Sequence, residues 1–357
     1  MRPWFIIRKL RPVFYLMAGV WLISSIQQAA DIKSNGFLGS SFLGHQVMRA
    51  LKAVPPQVMS YRREFMRNYP LQVDLLPYVM DKIKNGTEIP FKKHYPHNYT
   101  YLHRPDKCKF YSHKGGKLAI LVKSAAQNWY RRHTVRTTWA KIHPGVIKVV
   151  FLVAYNKSIQ SMVDYEADFY KDIVQENFQD AYFNNTLKTV MAFNWAMESC
   201  SGADYYLFVD DDHFVNVPGL VQFIKSLSRD TQEQLFLGFL IACGEPERAE
   251  HSKWRISFEL YPFDLWPPYL AGGAFVTSYS VAQKLQLAFP YVKPIGIDDA
   301  YLGIVAKKLA LRPMDSVHFH TTGPYATYEY FIHGKLKANK TGPIPHDVLS
   351  FPKTECV

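Results

Sequence analysis

An apolar run that ends in three adjacent acids limits what this chain can fold into. Residues Tyr205–Val209 are apolar and are followed at once by Asp210, Asp211 and Asp212. A short apolar run with polar flanks is typical of a buried strand. Like charges this close together repel one another, and burying them is costly. The run therefore predicts a core strand whose acidic end either binds a cation or forms a solvated turn.

Other segments alternate between strand-like and helix-like patterns. Lys117–Ser124 and Val146–Asn156 are apolar or β-branched, as buried strands are, and Thr186 stands where it can cap a later helix. This alternation predicts an α/β fold with a Rossmann-like central sheet of parallel strands flanked by helices. Ligands of such sheets bind outside the carboxyl ends of the strands. The three aspartates fall at that edge.

Three common motifs of other α/β enzymes are missing from the sequence. No G-x-G-x-x-G follows the first strand, no Walker lysine loop is present, and no G-x-S-x-G occurs. The sequence therefore gives no support for an NAD-dependent enzyme, a P-loop ATPase or an α/β-hydrolase.

The acidic triplet suits a hard divalent cation. Carboxylate oxygens at a strand end are typical ligands of Mg²⁺ or Mn²⁺. Such an ion can neutralise a departing diphosphate as a Lewis acid, which is the chemistry that a nucleotide-sugar donor requires. A solvated acidic turn is the alternative, because Asn216, Pro218 and Gly219 are turn-forming neighbours. The short motif alone leaves both interpretations open.

A second acidic pair, Asp298 and Asp299, stands at the start of a predicted helix. The positive end of the helix dipole favours ionised carboxylates there. An ionised aspartate can act as a base toward an acceptor hydroxyl. Simple capping of the helix is the alternative.

The segment Ser252–Ser278 between these acids is rich in aromatic residues, proline and glycine. Tyr261, Trp266 and Tyr269 are candidates for stacking against sugar rings, and Gly272–Gly273 would let the backbone approach a ligand closely. The alternative is that these residues belong to the core and to turns.

The N-terminal region predicts a membrane anchor. Residues 12–30 carry no charge, and basic residues lie before them. The positive-inside rule then predicts a cytosolic tail over 1–11, a single transmembrane signal anchor over 12–30, a luminal stem over 31–105 and a folded domain over 106–357. A cleaved signal peptide and a buried soluble helix are the alternatives for the apolar segment.

The formal net charge of +12 does not indicate a nucleic-acid partner. Most of the basic excess lies before residue 106, so the folded domain is nearly neutral. Nucleic-acid binding normally needs a basic face on the folded domain itself, together with a recognisable binding motif. Neither is present in the sequence.

A luminal location agrees with the sequons and cysteines of the chain. The Asn-x-Ser/Thr sequons are at Asn85, Asn98, Asn156, Asn184 and Asn339. The 4 cysteines lie far apart and form no C-x-x-C, which argues against a zinc cluster. The same compartment permits disulfides, although the spacing alone does not show any pairing.

Five ordered blocks of the sequence resemble the β-1,3-galactosyltransferase family, which also includes β-1,3-N-acetylglucosaminyl- and N-acetylgalactosaminyltransferases. The blocks are RRHTVRTTWA, TLKTVMAFNWAMESC, YYLFVDDDHFVNVPG, SKWRISFELYPFDLWPPYLAGGAFVTS and DDAYLGIVAKKLALRP. The resemblance runs from about Cys108 to the C-terminus. It implies a GT-A fold for the domain over 106–357 and a single-pass type II protein of the Golgi membrane.

The resemblance also implies an activity. The expected enzyme is a Mn²⁺-dependent, inverting β-1,3-glycosyltransferase that moves galactose, N-acetylglucosamine or N-acetylgalactosamine from a UDP-sugar to the O3 hydroxyl of a glycan on a glycolipid or glycoprotein. Two other functions remain open from the sequence: an inactive relative that binds a glycan or a partner enzyme in the Golgi, and a metal-dependent phosphohydrolase. The sequence does not indicate an oligomeric state.

Two roles in the site follow from the family motifs. The metal ligand of the triplet falls on Asp212, and a second ligand, a histidine near the C-terminus, falls on His333, with His318 and His320 as rivals. The catalytic base falls on Asp299, the second member of the acidic pair.

Donor-binding roles are implied for five further residues. Asp210 and Asp211 would face the nucleotide sugar or order the site, and Asp298 accompanies the base. Many relatives have a glutamate where Asp298 stands, so this side chain is one methylene shorter. Arg132 and Arg136 match an R-x-x-x-R-x-T-W element near the donor. Arg132 is expected to meet the diphosphate, whereas Arg136 either does the same or braces the helix.

The resemblance implies one disulfide. Cys108 and Cys200 match cysteines that pair in relatives, so we expect that bridge. A second bridge between Cys243 and Cys356 is a weaker expectation, because it has no such match.

Overall fold

The computed structural model describes residues 74–111, 116–141 and 146–319, and the backbone of 349–350. The predicted tail, the predicted anchor over 12–30 and most of the predicted stem lie outside the described residues. None of the helices in the described part of the chain is both long and apolar enough to span a bilayer.

The strands form one mixed sheet. They are β1 (Tyr101–His103), β2 (Leu118–Lys123), β3 (Ile147–Tyr155), β4 (Ile173–Gln179), β5 (Tyr205–Asp210), β6 (Phe236–Ile241), β7 (Tyr269–Ser278), β8 (Met314–Ser316) and β9 (Leu349–Ser350). Their order across the sheet is β1-β4-β3-β2-β5-β7-β6-β8-β9. The block β4-β3-β2-β5 is parallel, and β7 pairs antiparallel with both β5 and β6. The predicted α/β fold with a central sheet is confirmed, although β1, β7 and β9 run antiparallel to their neighbours.

Helices cover both faces of the sheet. They are α1 (Leu76–Asn85), α2 (Trp129–Thr137), α3 (Gln160–Tyr170), α4 (Asn185–Ser199), α5 (Val217–Ser226), α6 (Arg229–Glu233), α7 (Tyr279–Ala288) and α8 (Asp298–Lys308).

The apolar core consists of two clusters, one on each face of the sheet, because successive side chains along a strand point to opposite faces. In β2, Ala119 and Leu121 pack in the cluster that contains α4, α7 and α8. Leu118, Ile120 and Val122 pack in the opposite cluster with apolar residues of α2, α3 and α5. The five apolar residues of β2 are all buried because helices cover both sides.

The fold places the two predicted acidic motifs at one edge of the sheet. β5 lies between β2 and β7, and its last residue, Asp210, is the register partner of Lys123 at the end of β2. The N-terminus of α8, which carries Asp298 and Asp299, lies against Gly272 in β7. Two motifs that are far apart in sequence therefore meet, one at the end of β5 and the other at the start of α8, which lies against the neighbouring strand β7.

The folded body begins earlier than the expected boundary after residue 105. Leu75 and Val79, just before and within α1, are fully buried in the main core. β1 pairs antiparallel with β4 and so belongs to the main sheet. Residues from 74 onward therefore pack on the body, because their apolar side chains and backbone hydrogen bonds are satisfied there rather than in an extended stem.

Four of the five sequons lie among the described residues, whereas Asn339 lies outside them. Asn85 and Asn98 are exposed, and Asn156 is half-buried. Asn184 is less suited to carry a glycan, because its side-chain amide donates a hydrogen bond of 2.8 Å to the carbonyl of Gln179. The hydroxyl of Thr186, on which that sequon depends, is buried and donates to the carbonyl of Ile295.

The Cys108–Cys200 disulfide is present, with 4.8 Å between the Cα atoms. It ties the segment before β2 to the end of α4, next to a backbone hydrogen bond of 2.8 Å from Cys108 to Ser199. Cys243 is also disulfide-bonded. The partner expected for it, Cys356, lies outside the described residues.

We expect the double substitution Cys108→Ser/Cys200→Ser to lower the free energy of unfolding by about 2–5 kcal/mol. The bridge closes a loop with a sequence separation of 92, so its loss frees a long stretch of the unfolded chain. Urea unfolding followed by circular dichroism measures the change. A double mutant within about 0.5 kcal/mol of wild type would show that the bridge adds no stability.

Candidate active site

A polar cleft of about 310 Å³ opens where β2, β4 and β5 end. Its walls are residues 123–125 after β2, residues 180–182 after β4, the acidic triplet 210–212, and side chains from the first turn of α4. The predicted location of the site at the carboxyl ends of the parallel strands therefore agrees with the structure.

Asp211, the middle acid of the triplet, is buried and fixes neighbouring loops. Its carboxylate accepts hydrogen bonds from Ser124 Oγ at 2.7 Å, Asn128 Nδ2 at 2.9 Å and a guanidinium nitrogen of Arg131 at 3.0 Å. Three donors satisfy the buried charge. Of the two roles considered for Asp211, the structure supports ordering of the site.

Asp212 is different, because 55% of its side chain is exposed toward the cleft. Nδ1 of His213 lies 2.8 Å from one carboxylate oxygen, and a guanidinium nitrogen of Arg131 lies 3.2 Å from the other. The hydrogen bond with His213, with the charge of Arg131, lowers the pKa of Asp212 to about 2. Its carboxylate is therefore ionised and accessible, as a ligand of a hard cation must be.

Asp212 is a fitting first ligand for Mn²⁺, but the described residues do not complete a metal site. No group of three or more His, Cys, Asp or Glu side chains among them could hold an ion. His318 packs its ring against Phe223 of α5, with 5.7 Å between the ring centroids. His320 and His333 lie outside the described residues.

Lys123 connects the two acidic motifs. Its ammonium lies 3.2 Å from a carboxylate oxygen of Asp210 and 2.7 Å from one of Asp298, and only 10% of its side chain is exposed. Asp298 also accepts a hydrogen bond of 2.9 Å from the hydroxyl of Thr189. Burial opposes the ionised form of Asp298, but the charge and hydrogen bond of Lys123 outweigh it and lower its pKa. Asp298 is therefore a fixed anion with its oxygens engaged by the protein.

Asp299, the next residue, has the opposite environment. Burial and the negative charge of Asp298 raise the pKa of Asp299 to about 6. Its carboxylate is oriented by two backbone N–H donors, Gly272 at 3.1 Å and Ala300 at 2.8 Å. A Cβ on Gly272 would lie 3.4 Å from this side chain, which is an ordinary van der Waals contact, so this approach does not itself require glycine. A carboxylate held in place with a pKa near neutrality suits a general base.

The expected donor role of Arg132 does not fit its position. Arg132 is fully buried, and its guanidinium donates to both carboxylate oxygens of Glu166, at 2.9 and 2.6 Å. It also donates to the carbonyls of Ala125 and Ala126, at 2.7 and 3.0 Å. The guanidinium therefore holds the loop after β2 from beneath and does not face the cleft.

Arg136 follows the alternative expected for it, bracing of the helix. Its guanidinium donates to both carboxylate oxygens of Asp172, at 2.8 Å each, and to Glu166 at 2.7 Å. These bonds join α2 to the segment between α3 and β4. The charge of Arg136 is thus engaged on the face of the sheet away from Asp299.

Sequence reasoning missed three basic residues at the site, of which Lys123 and Lys188 line the cleft. Arg131 is 36% exposed and contacts both Asp211 and Asp212. Lys188 donates to Asp180 and to the carbonyl of Ser124, at 2.9 Å each. Lys123 is the third. The sequence carried no signal that separates Arg131 from Arg132, because they are adjacent arginines and only the fold shows which one is buried.

The predicted stacking residues are mostly in the core. Tyr261 and Trp266 are 2% and 4% exposed, and their rings contact each other with centroids 3.9 Å apart. Tyr269 is half-buried within β7. Trp254, in the same long connection between β6 and β7, is 50% exposed.

Comparison with known proteins identifies the family. A family model described as Galactosyltransferase matches residues 130–317, which is more than half of the chain. The chain belongs to the galactosyltransferase family. The resemblance inferred from the sequence blocks is therefore confirmed.

The relatives include enzymes named for two different sugars. The protein named beta-1,3-galactosyltransferase brn of Drosophila melanogaster is 37% identical over 57% of this chain and 64% of its own length. A lactosylceramide 1,3-N-acetyl-beta-D-glucosaminyltransferase of Xenopus tropicalis is 33% identical, over 67% of this chain and 66% of its own length. The human protein of that name is 31% identical, over 67% and 68%. The chain thus spans just under two thirds of the first two relatives.

Solved structures are more distant. The mannosyltransferase of Pyrobaculum calidifontis in complex with GDP-Man and Mn²⁺ has a TM-score of 0.31 and 15% identity, and the match covers 57% of this chain and 54% of that one. This similarity is too low for any conclusion about the site.

We expect Lys123→Met to lower the free energy of unfolding by about 3–5 kcal/mol at pH 7, because it leaves the mostly buried carboxylate of Asp298 without its cation. The pKa of Asp298 is lowered in the folded state, so the stabilisation from Lys123 is fully present above the ordinary aspartate pKa and is lost as the pH falls further, through the lowered pKa of folded Asp298. The difference between mutant and wild type should therefore shrink below about pH 4.

Lys171→Met is the matched control, since Lys171 makes an exposed ion pair with Asp168 and should change stability by less than about 1 kcal/mol. Urea unfolding at about pH 3 and at pH 7 gives both values. A Lys123→Met effect as small as that of the control would contradict the bridging role.

Proposed function

We propose that the protein is an inverting β-1,3-glycosyltransferase of the Golgi membrane. It transfers galactose, N-acetylglucosamine or N-acetylgalactosamine from a UDP-sugar to the O3 hydroxyl of a glycan on a glycolipid or glycoprotein. One observation carries the proposal: at the edge of the cleft that holds the acidic triplet, Asp298 is locked as an anion and Asp299 is held as an oriented acid with a pKa of about 6.

The family relatives support the linkage and leave the sugar open. The names of the Drosophila and Xenopus relatives share 1,3-transfer but differ in the sugar transferred. The second name also contains lactosylceramide, which favours a glycolipid among the acceptor classes. Donor choice depends on how the cleft contacts one or two positions of the sugar, so it requires assay.

Donor binding is assigned to the cleft at the ends of β2, β4 and β5. Asp212 and, as proposed from the resemblance, His333 would hold Mn²⁺, which supplies a Lewis acid for the charge of the diphosphate. Arg131 is placed to meet the same charge, in place of the buried Arg132. Asp211 keeps Arg131 and the loop after β2 in position.

The transfer needs one base. Asp299 accepts the proton of the acceptor O3 hydroxyl as that oxygen forms a bond to the anomeric carbon. The bond from that carbon to the diphosphate oxygen breaks on the opposite face, and UDP leaves with the electron pair. One displacement converts an α-linked donor into a β-linked product. The N–H groups of Gly272 and Ala300 keep the carboxylate oriented during the proton transfer.

We expect Asp299→Asn to reduce kcat by at least about 10²-fold, because the amide cannot accept the proton. The Kd for UDP in the presence of Mn²⁺ should change by less than about threefold, because Asp299 does not touch the diphosphate in this mechanism. Radiolabelled transfer from each UDP-sugar to a panel of acceptors and calorimetry with UDP measure the two effects on the full-length protein.

Asp168→Asn, an exposed acid of α3, is the matched control and should retain wild-type activity. Loss of transfer and of UDP affinity together in folded Asp299→Asn protein would contradict the assignment of the base. A wild-type protein that transfers no sugar from any of the donors would contradict the proposed function.

We expect kcat/KM for transfer to rise with pH up to about pH 6 and then level off. Asp299 must be ionised to act as a base, and its pKa is raised to about 6, so activity falls about tenfold per pH unit below that value. Initial rates between pH 4.5 and 8, with UDP affinity measured over the same range, test this. If kcat/KM fell only below about pH 4, the ordinary aspartate value, the pKa of Asp299 would not be raised in the working enzyme.

A further inference from the structure

Gly303 lies in the interior of α8, where a glycine is unfavourable for the helix itself. Glycine there lowers stability by about 1 kcal/mol relative to alanine, because it loses more backbone freedom on folding. Every residue from Ala300 to Ala306 is buried, so this part of α8 packs against the body on all sides. The reason for the glycine is therefore to be found in the packing around it.

The missing side chain lets α8 approach the beginning of β7 closely. A Cβ placed on Gly303 would lie 2.6 Å from the Cβ of Tyr269 and 3.1 Å from the carbonyl oxygen of Pro268. Carbon atoms in contact are normally about 3.5–4.0 Å apart. Both of these atoms are fixed to the backbone, so they cannot rotate away from an added group. A methyl group at position 303 would therefore push the helix and the strand apart by roughly 1 Å.

The same face of α8 carries Asp299. Residues four apart lie one above the other on a helix, so Asp299 and Gly303 both face β7. Asp299 accepts the N–H of Gly272 at 3.1 Å, whereas Gly303 contacts the start of the strand at Tyr269. The separation of helix and strand that Gly303 permits is thus the separation across which this hydrogen bond forms.

The hydrogen bond from Gly272 to Asp299 is close to the upper limit of length. Bonds from N–H groups to oxygen are about 2.7–3.2 Å long, and this bond is 3.1 Å. Withdrawal of α8 by roughly 1 Å would break it. The carboxylate would keep the N–H of Ala300, which belongs to the same helix and moves with it. Asp299 would then lose a bond that fixes it relative to the sheet.

We infer that Gly303 is a positioning residue for the proposed base, because its missing side chain lets α8 lie close enough to β7 for the Gly272 N–H to orient Asp299. The inference rests on the proposed function, in which Asp299 removes the proton of the acceptor hydroxyl. A reacting group that is misplaced by about 1 Å can cost about 10²-fold in rate. Gly303 is not part of the cleft lining, so it acts through Asp299.

Gly303→Ala on the full-length protein tests the inference, with radiolabelled transfer to the acceptor panel and calorimetry with UDP and Mn²⁺ as readouts. We expect kcat to fall by about 10²-fold, because the base is displaced. The Kd for UDP should change by less than about twofold, because the cleft at the ends of β2, β4 and β5 keeps its lining. Loss of packing alone would lower stability without this split between kcat and UDP affinity.

Gly202→Ala is the matched control. Gly202 follows α4 and is exposed. Among the described residues, a Cβ there would meet a ring carbon of Phe110 at 3.6 Å, which is an ordinary contact. The same chemical change should therefore leave both kcat and the Kd for UDP within about twofold of wild type.

A longer base provides a second test. Asp299→Glu adds one methylene, for which the narrow gap between α8 and β7 leaves no room, so kcat should fall by at least about tenfold. In the double variant Gly303→Ala/Asp299→Glu, the longer side chain spans part of the widened gap. Its kcat should therefore exceed the value that the product of the two single losses predicts. Losses that simply multiply would contradict the action of Gly303 through Asp299.

The outcomes separate the inference from the proposed function. If the wild-type protein transfers sugar but folded Gly303→Ala keeps kcat within about threefold, the inference is overturned and the proposed function stands. Loss of kcat and of UDP affinity by the same factor in Gly303→Ala also overturns it. If Gly303→Ala does not fold, Asp299→Glu decides, because near-wild-type kcat in that variant would show that the spacing does not matter. If the wild-type protein transfers no sugar, the proposed function fails and the inference fails with it.

Discussion

A single buried ammonium group holds the candidate site together. Lys123 ends the strand β2, and its charge is shared by one acid from the end of β5 and one from the start of α8. Each carboxylate alone would be unfavourable in this position, and together they would repel each other. Because the cation lies between them, the strand end that carries the acidic triplet and the helix end that carries Asp299 are kept in one fixed relation.

This arrangement explains how two neighbouring aspartates acquire different chemistry. Asp298 bonds to Lys123 and Thr189 and stays charged. That charge, together with burial, then disfavours ionisation of Asp299. Environments that push the pKa values of two adjacent acids apart are a recurring way to separate a structural role from a chemical one. The acidic triplet is divided in a similar manner, since Asp211 is buried under three donors whereas Asp212 is exposed.

The sequence predicted the features that depend on local pattern. Apolar runs located the central strands, and the alternation of strands and helices gave the α/β class. The position of the acids at strand and helix ends placed the cleft, and the family resemblance gave the disulfide. Features that depend on which side chains meet were not predictable. Arg132 and Arg131 are adjacent and chemically identical, yet Arg132 is fully buried whereas Arg131 contacts Asp211 and Asp212. The pairing of β7 beside β5 in the antiparallel direction brings Gly272 to Asp299. The hydrophobic pattern of the sequence does not indicate this pairing either.

The bond between Lys123 and Asp298 joins residues with a sequence separation of 175. A contact of this range forms late, because the intervening chain must first be ordered against the cost of closing a long loop. A partly folded or nascent chain would therefore have its core strands before it has a working centre. Such a late-forming contact would leave an incompletely folded molecule without the joined acidic motifs of the candidate site.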